Sequence, residues 1–444
     1  MRTTRLTRAR RALAGVAGVS LLAVGLTACG SGDGGDTPPA AGGDTGGDTE
    51  AWEGVDDGTT LTLWTRAPME FQANLLVDAY NETHENQVEL TITPNDDYVA
   101  RVGAAAGSGD LPDLFAADIV YVPNWTEAGL FQDISERIES LPFADDINQG
   151  HIEAGTYEDA QYVLPFVLDL SVIFYNKELY AEAGLDPEQG PTTLEEFKEH
   201  ALAIQALGKP GVYGTYFGGN CGGCGVFTWF PMIWASGDEV MNEDGTEAML
   251  ASDSAQEVYS TWRELWEAGA VAPASQDETG ATWVGDFQQG NVGVMPYPAT
   301  LLATADETVD VGVAPIPGVD GGAATFIGGD GIGISKDSDV TDQAWNFLAW
   351  MMSEEAQVEV LAANGSTPAR TDLADNEYAA ADPRLVTINE VAGAPESRTP
   401  YAPNFQQAYN AAGSPWVTLF RDAVFGDGDS VEEDNEAITD VLSQ

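Results

Sequence analysis

Positive charge is scarce in this chain. Seventeen Lys and Arg face 72 Asp and Glu, a net charge of −55 over 444 residues. Five of the seventeen, Arg2, Arg5, Arg8, Arg10 and Arg11, fall in the first eleven positions. So acidic a surface repels polyanions, which argues against nucleic acid and anionic lipid headgroups as partners. It suits a salty habitat, where screening relieves self-repulsion. Histidine is nearly missing: His84, His151 and His200 are scattered, and His84 and His200 read as surface positions on or beside amphipathic helices. There is no G-x-S-x-G, no H-E-x-x-H and no phosphate-cradling G-x-x-x-x-G-K-[ST], so the motif-borne hydrolase and nucleotide chemistries have no foothold. No D-x-[DN]-x-[DN]-G loop offers a calcium site, and no metal or other cofactor is expected. Beyond the leader, no apolar run is long enough to span a bilayer. A glycosidase pair of carboxylates escapes this sieve, because space rather than sequence spacing sets it.

What is present begins with an export leader. Five Arg precede the short apolar stretch Ala12 to Leu26, and the segment ends Leu26-Thr27-Ala28-Cys29. That ending resembles the lipobox of bacterial lipoproteins. The resemblance implies that residues 1–28 are removed and that Cys29 carries the lipid, two or more chains giving stable anchoring. The Arg10-Arg11 pair leaves the twin-arginine export route open. Residues 29–58 read as an acidic, Gly-rich flexible linker.

From Thr59 the apolar pattern is that of an α/β protein. Leu61 and Leu63 alternate into Trp64. Phe71, Leu75, Ala79 and Tyr80 follow at helical spacing, and Val88, Leu90 and Ile92 alternate again. Strand, helix, strand in so short a span is a βαβ unit and predicts a parallel sheet. Ligands in such sheets bind beyond the carboxyl ends of strands, where Trp64, Thr65 and Arg66 lie, and likewise Asp118. Thr192 and Thr193 with Glu195 and Glu196, and Ser254 with Glu257, read as capping boxes of two helices. On the second, Trp262 and Trp266 keep the apolar period and read as core. Gln161 to Leu179 is the organising stretch. It opens as a nearly unbroken apolar run that holds one carboxylate, Asp169, and then passes into a helix. Asp169 is either a core Asp with its partners or a group in the gap between two lobes. Trp64, Trp229, Trp234, Trp283, Tyr297 and Trp416 fall near predicted strand ends and loops. Aromatic faces beside carboxylates suit a carbohydrate site. Cys221-Gly-Gly-Cys224 is, outside the membrane, a local disulfide rather than half a zinc site.

Several segments in order resemble the family 1 extracellular solute-binding proteins, the sugar-binding subunits of ABC importers, which include maltose-binding protein. They are Leu61–Trp64; Leu111-Pro112-Asp113-Leu114 with Gly129-Leu130; Pro165 through Lys177; Phe287–Gly290 with Val292–Met295; Gly328–Ser335; Ala344–Leu348; Ser353–Gln357; and Gly365–Arg370. The resemblance runs from Thr59 to the C-terminus. It implies an α/β, two-lobe periplasmic-binding-protein-like (type II) fold with a hinge between discontinuous lobes: residues 59–166 plus 315–351, and 167–314 plus 352–444. It implies no enzymatic activity but a monomeric receptor, lipid-anchored on the extracellular face of the cell membrane (the periplasmic side if the cell has two membranes), that closes on a sugar and hands it to the permease subunits. Carried over by position, Trp64, Trp229 and Trp416 stack on the sugar and Tyr297 lies beyond a lobe-two strand. Asp118, Asp169 and Asp330 take hydroxyls, and Gly329 lets backbone approach. Arg370 is either a ligand contact or a lobe salt bridge. The alternatives are a polyamine or peptide receptor on the same fold, or a surface glycoside hydrolase. The chain departs from the family at Gly293-Val294-Met295, at Pro298-Ala299-Thr300, where maltose-binding protein stacks a Trp, and at the Cys pair.

Overall fold

The computed structural model describes residues 52–305, 308–402 and 404–444. The leader, Cys29 and most of the linker lie outside the described residues. The fold starts a few residues before Thr59. The indole of Trp345 donates to the Trp52 carbonyl (2.7 Å), the Asn346 amide to the Glu53 carbonyl (2.8 Å) and the Val55 amide to the Asp342 carbonyl (3.1 Å). Residues 52–58 therefore belong to the fold and not to the linker.

The βαβ reading holds. Strand β1 (Thr60–Arg66) runs parallel to β2 (Gln87–Thr93) and to β3 (Leu114–Asp118), with the helix Glu70–Thr83 between the first two. That helix is rotated from its expected face. Its buried stripe is Ala73, Leu76, Val77 and Tyr80, while Phe71 is 52% exposed. A small hairpin, β4 (Thr156–Tyr157) and β5 (Ala160–Gln161), leads into β6 (Leu164–Asn176). Thirteen residues long and buried almost throughout, β6 is the spine of the molecule. Later come β7 (Val294–Pro298), β8 (Val311–Ala314), β9 (Ile316–Gly318), β10 (Gly321–Ala324) and β11 (Ile327–Ile334). The main sheet has the order β2-β1-β3-β11-β6-β7, with β8 also on β6.

One strand serves two halves. From Leu164 to Leu170, β6 pairs with β11; from Ser171 onward it pairs with β7 and β8. The switch carries a polar clasp. The Ser171 amide donates to Thr325 Oγ1 (2.8 Å), Thr325 Oγ1 donates back to the Ser171 carbonyl (2.8 Å), and the Phe326 amide donates to Ser171 Oγ (3.0 Å). A third segment runs alongside: the Thr325 amide donates to Ser397 Oγ (3.0 Å) and the Ile327 amide to the Arg398 carbonyl (3.0 Å). The chain thus crosses near 170/171, 325–327 and 397–399. The expected lobe boundaries at 166/167, 314/315 and 351/352 lie earlier in the chain, and Glu355–Leu361 packs on the helix Glu70–Thr83.

Two helix starts test the capping reading. Thr193 Oγ1 accepts from the Glu196 amide (3.1 Å) at the head of Leu194–Gln205, as expected, and the Glu196 carboxylate closes on Thr192 (2.6 Å). The helix Asp253–Glu267 is capped by Ser252 instead of Ser254. His84 and His200 are half-buried rather than surface residues. His84 stacks on Tyr80 at 4.1 Å, and His200 Nδ1 lies 3.2 Å from the Tyr180 hydroxyl. Among the described residues no helix is long and apolar enough to cross a membrane.

Candidate functional site

The carboxyl ends of β1 and β3 lie side by side because the strands are parallel, and they deliver Arg66 and Asp118 to one edge. Antiparallel β11 brings Asp330 opposite Asp118 in register. Arg66 binds both acids. Nε and Nη2 reach Asp330 Oδ1 at 2.9 and 2.5 Å, and Nη1 lies 3.1 Å from Asp118 Oδ2. The Asp330 side chain has no solvent exposure, and that of Asp118 has 25%. Burial works against the guanidinium's charge, but the two carboxylates outweigh it and hold Arg66 firmly cationic. Burial pushes the Asp330 carboxyl up, against the pull of Arg66. One cation contacts two acids here, and a third acid feels its field without touching it.

That third acid is Asp169. It sits on β6 opposite Gly328, one residue before the pairing switch. Residue-wide it is partly buried, yet its Oδ1 sees no solvent and has no hydrogen-bond partner. Burial raises its pKa to about 7, against a backbone hydrogen bond from Thr300 and the field of Arg66. Asp169 lines a cavity of about 210 Å³ with Phe71, Thr300, Asn364 and Ser366. The lining holds no Lys or Arg. Tyr297 stands on β7, next to β6, edge-on to Trp283 at 4.6 Å. Burial, with Asp169 and Glu278 nearby, pushes its phenol up to about 12. Glu278 accepts from Tyr216 Oη (3.1 Å) and from the amides of Gly280 (2.7 Å) and Thr282 (3.1 Å). Burial opposes ionisation of Glu278, but hydrogen bonds led by that of the Thr282 hydroxyl hold it below the usual range. Tyr121, in the turn after β3, donates to Gln406 Oε1 (2.5 Å) and ties that turn to the C-terminal part of the chain.

Asp118, Asp169, Tyr297 and Asp330 therefore come together. The aromatic stackers do not. Trp229 is 1% exposed, stacked on Trp262 at 5.3 Å and met edge-on by Phe420 at 5.3 Å. Trp416 is fully buried and donates to the Gly222 carbonyl (3.1 Å). Neither ring has a face free for a sugar, so both are core, as are Trp262 and Trp234. Trp64 is partly buried, with the Arg101 guanidinium over its ring at 3.9 Å. Gly329 has φ +100°, and a side chain there would run into the Val167 carbonyl. The close approach at Gly329 is made by the neighbouring strand, not by a solute. Arg370 is buried, paired with Asp372 (2.6 Å) and laid over Phe143 at 3.9 Å. It makes a local ion pair only two residues away along the chain, not a bridge between lobes. Arg66 was visible as a strand-end residue but carried no assigned role. Tyr121 and Glu278 left no signal among 72 acids and 14 Tyr.

A disulfide joins Cys221 and Cys224 at the head of the helix Gly222–Ala235. Both sulfurs press on Gly280, where a Cβ would lie 3.0 and 3.2 Å from them. The bond thus packs the helix start against the loop that carries Glu278. Among the described residues no group of three or more His, Cys, Asp or Glu is placed to hold a metal ion.

Known proteins match this architecture. The profile of the bacterial extracellular solute-binding proteins matches residues 70–358. The diacetylchitobiose binding protein DasA of Streptomyces coelicolor is 24% identical over 379 residues, 83% of this chain and 84% of its own. The crystal structure of the cyclic alpha-maltosyl-1,6-maltose binding protein of Arthrobacter globiformis superposes with a TM-score of 0.72 at 25% identity, over 87% of this chain and all of that one. The GacH receptor of Streptomyces glaucescens, solved unliganded and with acarbose, gives 0.73 at 19% identity, over 88% of this chain and all of that one. A sheet shared between two halves, acids gathered at strand ends beside the crossing, and a profile covering well over half of the sequence agree: the chain belongs to the bacterial extracellular solute-binding protein family.

Proposed function

We propose that the protein is the monomeric receptor of an ABC importer, and that it binds a saccharide where β1, β3 and β7 end beside the crossing strands. Closure of the two lobes is the event read by the permease subunits. A lipid on Cys29 holds the receptor at the extracellular face of the membrane. The observation that carries the ligand reading is Asp169 Oδ1, buried without a partner in a cavity free of cations. Such an oxygen needs a donor from outside the protein, and a sugar hydroxyl supplies one. The saccharide-binding relatives support the same class. Two of the three gathered carboxylates are already held by Arg66. That leaves one free acid where a hydrolase needs two.

The test is tryptophan fluorescence of the protein titrated in high salt with mono- and oligosaccharides, amines and peptides. A saturable response to a sugar that is recovered intact, and its loss in Asp169→Ala with folding retained, is the expected result. A response to amines or peptides alone overturns the ligand class. Cleavage of the sugar overturns the receptor.

A further inference from the structure

A larger cavity, about 610 Å³, shares no lining residue with the Asp169 pocket, although Ile327 in its lining pairs with Leu170 in the other. It opens between the short helix Gln149–Ala154, the β4–β5 hairpin and residues 397–401. The volume is within the ~300–1,000 Å³ of small-molecule sites, whereas the Asp169 cavity falls below that range.

Its lining includes two tyrosines. Tyr157 is 36% exposed and Tyr401 42%, among the few large apolar side chains left open; Glu127 acts on both, and Tyr401 also feels Tyr157. Tyr157 is presented by a tight turn in which Glu158 and Asp159 take φ of 48° and 65°. Among the described residues these are the only non-glycine positions with positive φ, as the two central positions of a two-residue hairpin turn require. Gly150 keeps the opposite wall thin: a Cβ there would stand 3.2 Å from Thr399 Oγ1. Glu153 and Glu158 supply acceptors at the rim. The cation among the lining residues, Arg398, is already held by Glu239 (2.7 Å) and Glu396 (3.0 Å). Nothing here favours an anion. Exposed aromatic faces beside acceptors favour a neutral polyhydroxylated ring.

We propose that this cavity is a second saccharide site, distinct from the one at Asp169, whose occupant bears on the crossing segments. The inference rests on the saccharide reading above. The segment 397–401 is hydrogen-bonded to 325–327 at the crossing, while the helix and the hairpin precede β6. A ligand touching both sides stabilises this arrangement of the two halves, so it raises affinity at the first site and is raised by it in return.

Calorimetric titration of the protein with diacetylchitobiose and, separately, maltose tests this, with hydrogen exchange read on 149–158 and 397–401. Two binding events are expected for the sugar that binds. Tyr157→Ala/Tyr401→Ala, both at exposed positions, removes one event and the protection of those segments, and weakens the other several-fold. Asp169→Asn removes the other and leaves that protection. A single event abolished by Asp169→Asn and untouched by the tyrosine pair overturns the second site and leaves the first standing. A single event lost with the tyrosines and indifferent to Asp169 overturns both assignments as drawn. No response to either sugar overturns the second site as a site for these saccharides, and the wider panel then decides the first.

Discussion

Two walls of the molecule looked alike in composition and behave in opposite ways. The wall from β1, β3, β11 and β6 concentrates charge: Arg66, Asp118, Asp330 and Asp169. The wall around the helix Gly222–Ala235 concentrates aromatics: Trp229, Trp262, Trp416 and Phe420. Charged groups sealed from water need partners, and this wall gives Arg66 two acids while leaving Asp169 Oδ1 with none. Aromatic rings satisfy each other, edge to face and stacked, so the second wall closes over itself. A ring near a predicted strand end is therefore weaker evidence of a sugar platform than a carboxylate there with no cation to spare.

The comparison breaks most visibly if each wall loses its centre. Trp229→Ala should cost about 3–5 kcal/mol of stability through lost burial and a cavity, with little dependence on pH. Arg66→Met should cost a similar amount, about 3–5 kcal/mol, because it strands the buried Asp330. Its signature differs: the loss should be full at neutral pH and shrink in acid as Asp330, whose carboxyl burial pushes up, takes up a proton. Urea unfolding at pH 7.5 and pH 4 separates the two. Equal losses at both values for Arg66→Met would mean that its partners do not carry charge in the fold.

Asp169→Asn sharpens the charged wall from inside. The Asp169 pKa is raised from 3.8 to about 7, so between those values the folded state holds a proton that the unfolded state has lost. Stability then falls as pH rises through this window, by up to about 4 kcal/mol. The Asn variant lacks this fall and should be the more stable protein at pH 8. Solute affinity in the parent should rise through pH 7 as the carboxylate ionises, and the variant, which lacks that acceptor, should not bind at this site at any of these pH values. Thermal melts and titrations at pH 5.5, 7 and 8.5 read both.

What the sequence made legible follows the same division. Alternation at Leu61 and Leu63 and at Val88, Leu90 and Ile92 placed two strands correctly, and the apolar run at 164–170 marked the spine with its lone acid. Backbone pattern decides such features locally. The stripe of the helix Glu70–Thr83 was misread by a fraction of a turn. Phe71 looks like core by type, and only the packing of Leu76 and Tyr80 excludes it. Trp229 and Trp416 were misassigned because residues 187 positions apart meet in space, and one-dimensional spacing carries no trace of that meeting. Arg66 gained its role from Asp330, 264 residues away.

The smallest expected effect is at the joint between the walls. The Cys221–Cys224 bond closes a short loop, so removing it should cost no more than about 2 kcal/mol. Its consequence is local: both sulfurs lie against Gly280, two residues from Glu278, which acts with Asp169 on the Tyr297 phenol. Cys221→Ser/Cys224→Ser should therefore lower the melting temperature by only a few degrees while weakening solute binding more than that loss of stability explains. Equal affinity in parent and variant would confine the disulfide to the aromatic wall. Weaker binding, with the 278–283 loop exchanging its amides faster, would show that the aromatic wall serves the site indirectly, as the support that keeps the facing loop in place.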